Sequence, residues 1–153
     1  MSEGERCYGI LLPVFSLPGT GDFDAAEEFI KFLAEAGAAI WQVLPLGPTH
    51  ADGSPYLSLS SRAGNPAFCG ASLSARLGLP GQVNADADLG PVLQHRFHDF
   101  CQAEAGWLDG FALYMALREH FEHRAWFDWP EPLRSRQADA LAEAQFQHQQ
   151  SIS

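Results

Sequence analysis

Two short apolar runs flank one amphipathic helix near the start of the chain, and this arrangement limits the possible folds more than any other feature. Tyr8-Gly9-Ile10-Leu11-Leu12, closed by Pro13, reads as a buried strand. Ala39-Ile40-Trp41-Gln42-Val43-Leu44, ended by Pro45, reads as a second. Between them Phe29, Ile30, Phe32, Leu33 and Ala36 recur at helical spacing, and Gly37 supplies a left-handed stop. Asp24, three residues before Glu27, has the spacing of a capping box at the helix start. A strand, a helix and a strand in so short a span imply a right-handed crossover and parallel pairing. Two parallel strands of buried type cannot cover their own edges, because such sheets normally carry further strands beside them and helices on both faces. No third convincing strand and no internal repeat occurs in the 153 residues. The sequence therefore reads as the opening piece of a larger α/β protein with a helical insertion after its second strand.

The pattern changes after Leu44. Residues 46–66 are rich in Gly, Pro, Ser and Asp and hold neither a helical nor a strand period, which predicts a long loop. It leaves the C-terminal end of a parallel strand, the place where α/β folds seat their ligands. Gly64-Asn65-Pro66 is expected to turn, with the Asn65 amide holding loop backbone. From Leu89 onward the pattern is helical. One helix is predicted from about Glu104 to His123 with Trp107, Phe111, Tyr114, Met115 and Phe121 near one face as core, and another from near Pro132 carrying Leu133, Leu141 and Phe146.

Charge narrows the partners. Nineteen acidic residues against nine basic ones give a net charge of −10, and Lys31 is the only lysine. Such a balance repels phosphate backbones and anionic membranes, so neither nucleic acid nor a membrane is an expected partner. No apolar run approaches the length of a membrane span, and Ser2-Glu3-Gly4-Glu5 is unlike a basic leader. Cys7, Cys69 and Cys101 are odd in number and widely spaced, which suits a reduced cytoplasm rather than a disulfide framework. His95/His98 and His120/His123 form two HxxH pairs, but no third and fourth ligand accompanies them, so no metal site is assigned. Asp22, Asp24, Glu27 and Glu28 are explained by capping and the helix dipole without catalysis. Trp41 and Val43 are expected to fill the core of a closed sheet.

Three phrases converge on a resemblance. They are Gly9-Ile10-Leu11-Leu12 with Ser16-Leu17-Pro18-Gly19; Phe32-Leu33-Ala34-Glu35-Ala36-Gly37 with Trp41-Gln42-Val43-Leu44-Pro45-Leu46-Gly47-Pro48-Thr49; and Ser54-Pro55-Tyr56 with Ala63-Gly64-Asn65-Pro66. Together with residues 107–117 and 126–136 they resemble the N-terminal region of the 4-α-glucanotransferases, also called amylomaltases or disproportionating enzymes. The resemblance implies a (β/α)₈ barrel, of which this chain supplies the first two strands and their helix (residues 1–66, with the substrate loop) and part of a mostly helical inserted subdomain (residues 67–153); the barrel is incomplete in this chain.

The implied activity is transfer of α-1,4-glucan segments between maltooligosaccharides with retention, by two carboxyl groups about 5–5.5 Å apart and without a cofactor. In the family those carboxylates lie on later barrel strands, so no catalytic residue is assigned within 1–153. The Ser54-Pro55-Tyr56 match implies that Ser54 and Tyr56 contact the glucan; a tyrosine ring offers a flat apolar face to sugar C–H groups and a hydroxyl to sugar oxygens. The bland reading of Tyr56 is loop packing. Three departures stand out: Gly53 separates Asp52 from Ser54, the loop after Leu17-Pro18-Gly19 is short, and Pro13 replaces a histidine. The alternative function is a non-catalytic remnant or carbohydrate-binding fragment, and a small helical metal-binding module on the HxxH pairs ranks behind it.

Overall fold

A computed structural model of the chain describes residues 6–76, 78 and 90–149. The chain divides into two compact units, residues 1–82 and 83–153.

In the first unit β1 (Gly9–Leu11) and β2 (Ile40–Gln42) pair in parallel, in the register Gly9 with Ile40, Ile10 with Trp41 and Leu11 with Gln42. The ladder continues through Leu12 N–H, which donates to the Gln42 carbonyl at 3.0 Å. Helix α1 (Ala26–Glu35) makes the crossover. It stops because Gly37 takes φ +79°, a left-handed angle that costs glycine little. Gly37 N–H then donates to the Ala34 carbonyl and Ala38 N–H to the Leu33 carbonyl, which satisfies the last turn. Among the described residues of this unit Val14, Leu17 and Leu33 are the buried apolar side chains.

Two sequence expectations are corrected. Trp41 does not point into a closed-sheet core. Its ring meets Phe29 of α1 edge-on at 5.1 Å, and its indole N–H donates to the Leu12 carbonyl at 2.8 Å, so it seals the strand pair against the helix. The opposite face carries Leu11 and Ile40, which are 55% and 50% exposed. These strands are of buried type in sequence but exposed in this chain, because two strands alone leave that face without a cover.

The second correction concerns Asp24. Helix α1 starts at Ala26, and its preceding residue Ala25 supplies no side-chain cap. Asp22 instead caps the short 3₁₀ turn Phe23–Ala25, accepting from Asp24 N–H at 2.9 Å. The Asp24 carboxylate reaches across the chain to α2 (Ala71–Arg76) and accepts from the N–H groups of Ser72 at 2.9 Å and Leu73 at 2.7 Å. Those are the second and third residues of α2, whose free amides an N-cap side chain normally satisfies. Gly70 occupies the N-cap position and has no side chain to do so. A Cβ there would lie 2.2 Å from the Asp24 carboxylate, so the missing side chain makes room for the distant cap. This bond ties α2 to the turn that precedes α1.

Glu27 adds a weaker tie, bridging Lys31 of its own helix and Arg76 of α2, each at 2.8 Å. Hydrogen bonds from Lys31 and then Arg76, followed by their charges, hold its carboxyl below the ordinary value of 4.5. A depressed acid stabilises the fold fully above its unfolded-state value, and that contribution is lost as pH falls through the lower folded-state value. Solvent exposure keeps the contribution small.

The second unit is helical. Helix α3 (Gly90–His120) is followed by a 3₁₀ turn (Trp126–Asp128), α4 (Glu131–Arg134) and α5 (Ala138–Gln147). Its core is Leu113, Leu117, Trp129 and Ala144, with Tyr114, Phe121, Leu133 and Leu141 packed against it. Helix α3 begins well before the predicted Glu104. The helix predicted from Pro132 is two, broken where Arg136 turns left-handed at φ +56°. Phe146 is exposed, and Trp107 and Phe111, expected in the core, pair with each other at 6.1 Å outside the central cluster. No helix among the described residues is long and apolar enough to cross a membrane.

Replacing Asp24 with Ala is expected to cost about 1–2 kcal/mol, the usual loss of a helix cap. Amide hydrogen exchange checks it: Ser72 and Leu73 N–H groups should lose protection first, and Gly70→Ala should reproduce the effect. Unchanged protection at both amides in both variants would contradict the distant cap.

Candidate functional site

The segment leaving β2 has no regular period, yet it is strongly tied. Its two legs meet in an antiparallel bridge between Thr49 and Ser58, and Leu59 N–H donates to the Pro48 carbonyl at 2.8 Å. Farther back, Asn65 N–H donates to the Leu46 carbonyl at 2.8 Å. The Asn65 side chain accepts from Ala67 N–H at 3.0 Å and starts the 3₁₀ turn Pro66–Phe68, as its position before Pro66 predicts. Ser58 Oγ lies 3.1 Å from the Pro48 carbonyl and 2.6 Å from the Ser60 carbonyl. Ser60 Oγ in turn accepts from the N–H groups of Arg62 and Ala63. Gly47 makes this closure possible, because a Cβ there would stand 2.2 Å from Ser58 Oγ and 2.8 Å from the Ser60 carbonyl.

At the tip, Gly53 takes φ +70° and Asp52 Oδ1 accepts from Ser54 N–H at 3.2 Å. The displaced aspartate thus fixes the turn that enters Ser54-Pro55-Tyr56. Leu57 N–H donates to the Ser54 carbonyl at 3.2 Å and closes the turn on its other side. Tyr56 stands out from this frame, 73% exposed. It borders a groove of about 570 Å³ whose other walls include Pro45, Leu46, Ser60, Arg62 and Gly64.

An exposed ring on a pinned loop differs from a ring that packs a loop down, since packing would bury it. Ser54 is only half-exposed and is not among the groove's lining residues. The structure thus brings Tyr56 to the groove and uses Ser54 backbone groups to hold the turn. The sequence reading did not single out Gly47 or Ser58. Glycine and serine are common in any loop, and only their close approach in space marks these two as a lock.

The histidine pairs separate. His95 lies 3.5 Å from Asp99, and His98 pairs with Gln102. His120 meets the His148 ring at 4.9 Å, whereas His123 Nδ1 lies 3.1 Å from an Arg118 guanidinium nitrogen. Among the described residues no three His, Cys, Asp or Glu side chains gather as a metal-binding group. Cys7, Cys69 and Cys101 are free thiols.

Comparison with known proteins bears on both units. A family model described as 4-alpha-glucanotransferase matches residues 12–90 and 81–153. The chain belongs to that family. It is 37% identical over 173 aligned residues to the 4-alpha-glucanotransferase of Thermus thermophilus, covering 93% of this chain and 35% of the relative. It is 34% identical to that of Synechocystis sp. (strain ATCC 27184 / PCC 6803 / Kazusa), covering 90% and 34%. Among solved structures it resembles an amylomaltase from Streptococcus agalactiae in complex with acarbose, with a TM-score of 0.81 and 28% identity over 97% of this chain and 37% of that one. The chain thus spans about a third of the length of the relatives it matches.

The lock gives a test of loop order. Gly47→Ala must displace Ser58 Oγ and the Ser60 backbone, and overpacking of this kind costs about 1–3 kcal/mol. The expected result is a lower urea midpoint for the first unit, with Ser58→Ala lowering it less. A midpoint unchanged in Gly47→Ala would show that the two legs close without the lock.

Proposed function

We propose that this chain supplies the acceptor-lined entrance of a glucan-binding cleft in a 4-α-glucanotransferase, with Tyr56 as its principal sugar contact. The observation that carries the reading is the exposed Tyr56 ring, held over a groove by a loop that springs from the C-terminal end of a parallel strand. Ligands of parallel α/β folds sit at that end. The Tyr56 face suits the C–H surface of a glucose ring, and its hydroxyl can donate to or accept from a sugar oxygen. Groove-wall serine hydroxyls and backbone groups add hydrogen-bond partners of the kind that neutral sugars use. Ser54 contributes through the turn that aims Tyr56 and as a second sugar contact through its hydroxyl.

The reaction proposed is transfer of an α-1,4-glucan segment to the 4-hydroxyl of an acceptor, with retention. It needs one carboxylate to attack the anomeric carbon and another to protonate the departing oxygen, then to deprotonate the acceptor. Among the described residues no pair of carboxylates faces the Tyr56 groove, whose lining includes neither Asp nor Glu. We assign both groups to residues outside 1–153, carried by a (β/α)₈ barrel in which β1, α1 and β2 are the first elements. The proposal requires no cofactor and no metal, and it places the protein in the cytoplasm.

Two experiments test this reading. The 153-residue chain alone should leave maltotriose unchanged, because it lacks the two groups that form and resolve a glycosyl-enzyme. Glucose and longer maltodextrins produced by the purified chain would refute the assignment. Joined to the remaining residues of the Thermus thermophilus relative, the chain should disproportionate maltotriose. In that chimera Tyr56→Ala should lower kcat/KM by about ten-fold to a hundred-fold, and Tyr56→Phe by less. A Tyr56→Ala variant with intact kcat/KM and a lowered melting temperature would make the ring loop packing instead.

A further inference from the structure

The second unit holds a cavity of about 300 Å³ that the glucan reading leaves unused. Tyr114, Trp126, Trp129, Leu133, Arg134 and Arg136 line it. Its volume is at the lower end of small-molecule sites. Trp129 is buried and spends its indole N–H on the Arg124 carbonyl at 3.2 Å, with Tyr114 tilted against it at 5.7 Å, so these two rings form a fixed floor. Trp126 differs, being 53% exposed, and leaves ring surface open.

The charged side chains of the lining are both cationic. Arg134 reaches the Phe127 carbonyl at 3.4 Å through one guanidinium nitrogen, and neither Arg134 nor Arg136 is ion-paired among the described residues. Two guanidinium groups lining one cavity, in a chain of net charge −10, offer many donors and no acceptor. The Tyr114 side chain in the same lining carries a hydroxyl that accepts as well as donates, as sugar hydroxyls require, whereas a phosphate needs donors only, and planar guanidinium binds it in two-pronged fashion.

The backbone positions one of the two arginines. Arg136 takes φ +56° at the end of α4, where its N–H donates to the Leu133 carbonyl and Gln137 N–H to the Pro132 carbonyl. This is the left-handed helix stop that glycine fills most easily. An arginine held there places a long cationic side chain at the cavity.

We propose that this cavity is a binding site for a hexose phosphate, with the sugar ring against Trp126 and the phosphate on Arg134 and Arg136. The site lies in the second unit and uses none of the residues assigned to the glucan groove, so either reading can fail without the other.

Titration of the 153-residue chain with glucose 1-phosphate, followed by tryptophan fluorescence and calorimetry, is the test. Saturable binding is expected, with maltotriose and inorganic phosphate each at least ten-fold weaker. Arg134→Gln and Arg136→Asn should each weaken glucose 1-phosphate by ten-fold or more with unchanged far-ultraviolet circular dichroism; asparagine tolerates the left-handed angle. Competition by salt in the unaltered protein gives a readout that needs no variant, since a guanidinium–phosphate contact weakens as ionic strength rises. Equal binding of maltotriose, equal binding of phosphate alone, or salt-independent binding would each overturn the proposal.

Discussion

Parallel pairing of β1 with β2 is the constraint on which the first unit depends. Two parallel strands cannot be joined by a tight turn, so the chain must cross back, and α1 is that crossover. The same geometry brings the C-terminal ends of both strands to one edge. Leu12 meets Gln42 there, and the loop that presents Tyr56 leaves from the same edge. Trp41 locks the arrangement by using both parts of its side chain, the ring on Phe29 and the N–H on the Leu12 carbonyl. A substitution at Trp41 would therefore loosen the helix and the strand ladder together.

The loop after β2 shows how a segment without periodic secondary structure acquires a defined shape. Its order comes from backbone groups that satisfy one another across the two legs and from short side chains, Asp52, Ser58, Ser60 and Asn65, that bond nearby backbone. These are local bonds with little side-chain entropy to lose, which lets the loop hold one large ring in the open.

The two units solve their structural problems differently. In the first, an aspartate far along the chain from α2 does the work of an absent N-cap side chain, so the strand–helix–strand piece and the following short helix become one body. In the second, stability rests on interleaved rings and aliphatic side chains, with Trp129 touching both Tyr114 and Phe121. Charge is distributed accordingly: the first unit neutralises Glu27 with Lys31 and Arg76, whereas the second leaves Arg134 and Arg136 beside aromatic surface.

Periodicity and punctuation in the sequence determined the strand–helix–strand order, the stop at Gly37, the turn at Asn65 and the family, because these depend on neighbouring residues or on contiguous motifs. They also placed Tyr56 in a loop that leaves the C-terminal end of a parallel strand. The tertiary structure alone decided that Asp24 caps α2 rather than α1, that Trp41 faces the crossover helix, and that Ser58 fits against Gly47. Each of those depends on which distant atoms come within about 3 Å, the range of a hydrogen bond, and spacing along a chain carries no such information. The break at Arg136 escaped the sequence for a related reason: arginine is a good helix former, and nothing in the spacing of neighbouring residues marks the left-handed turn that lets Leu133 and Leu141 pack against one core.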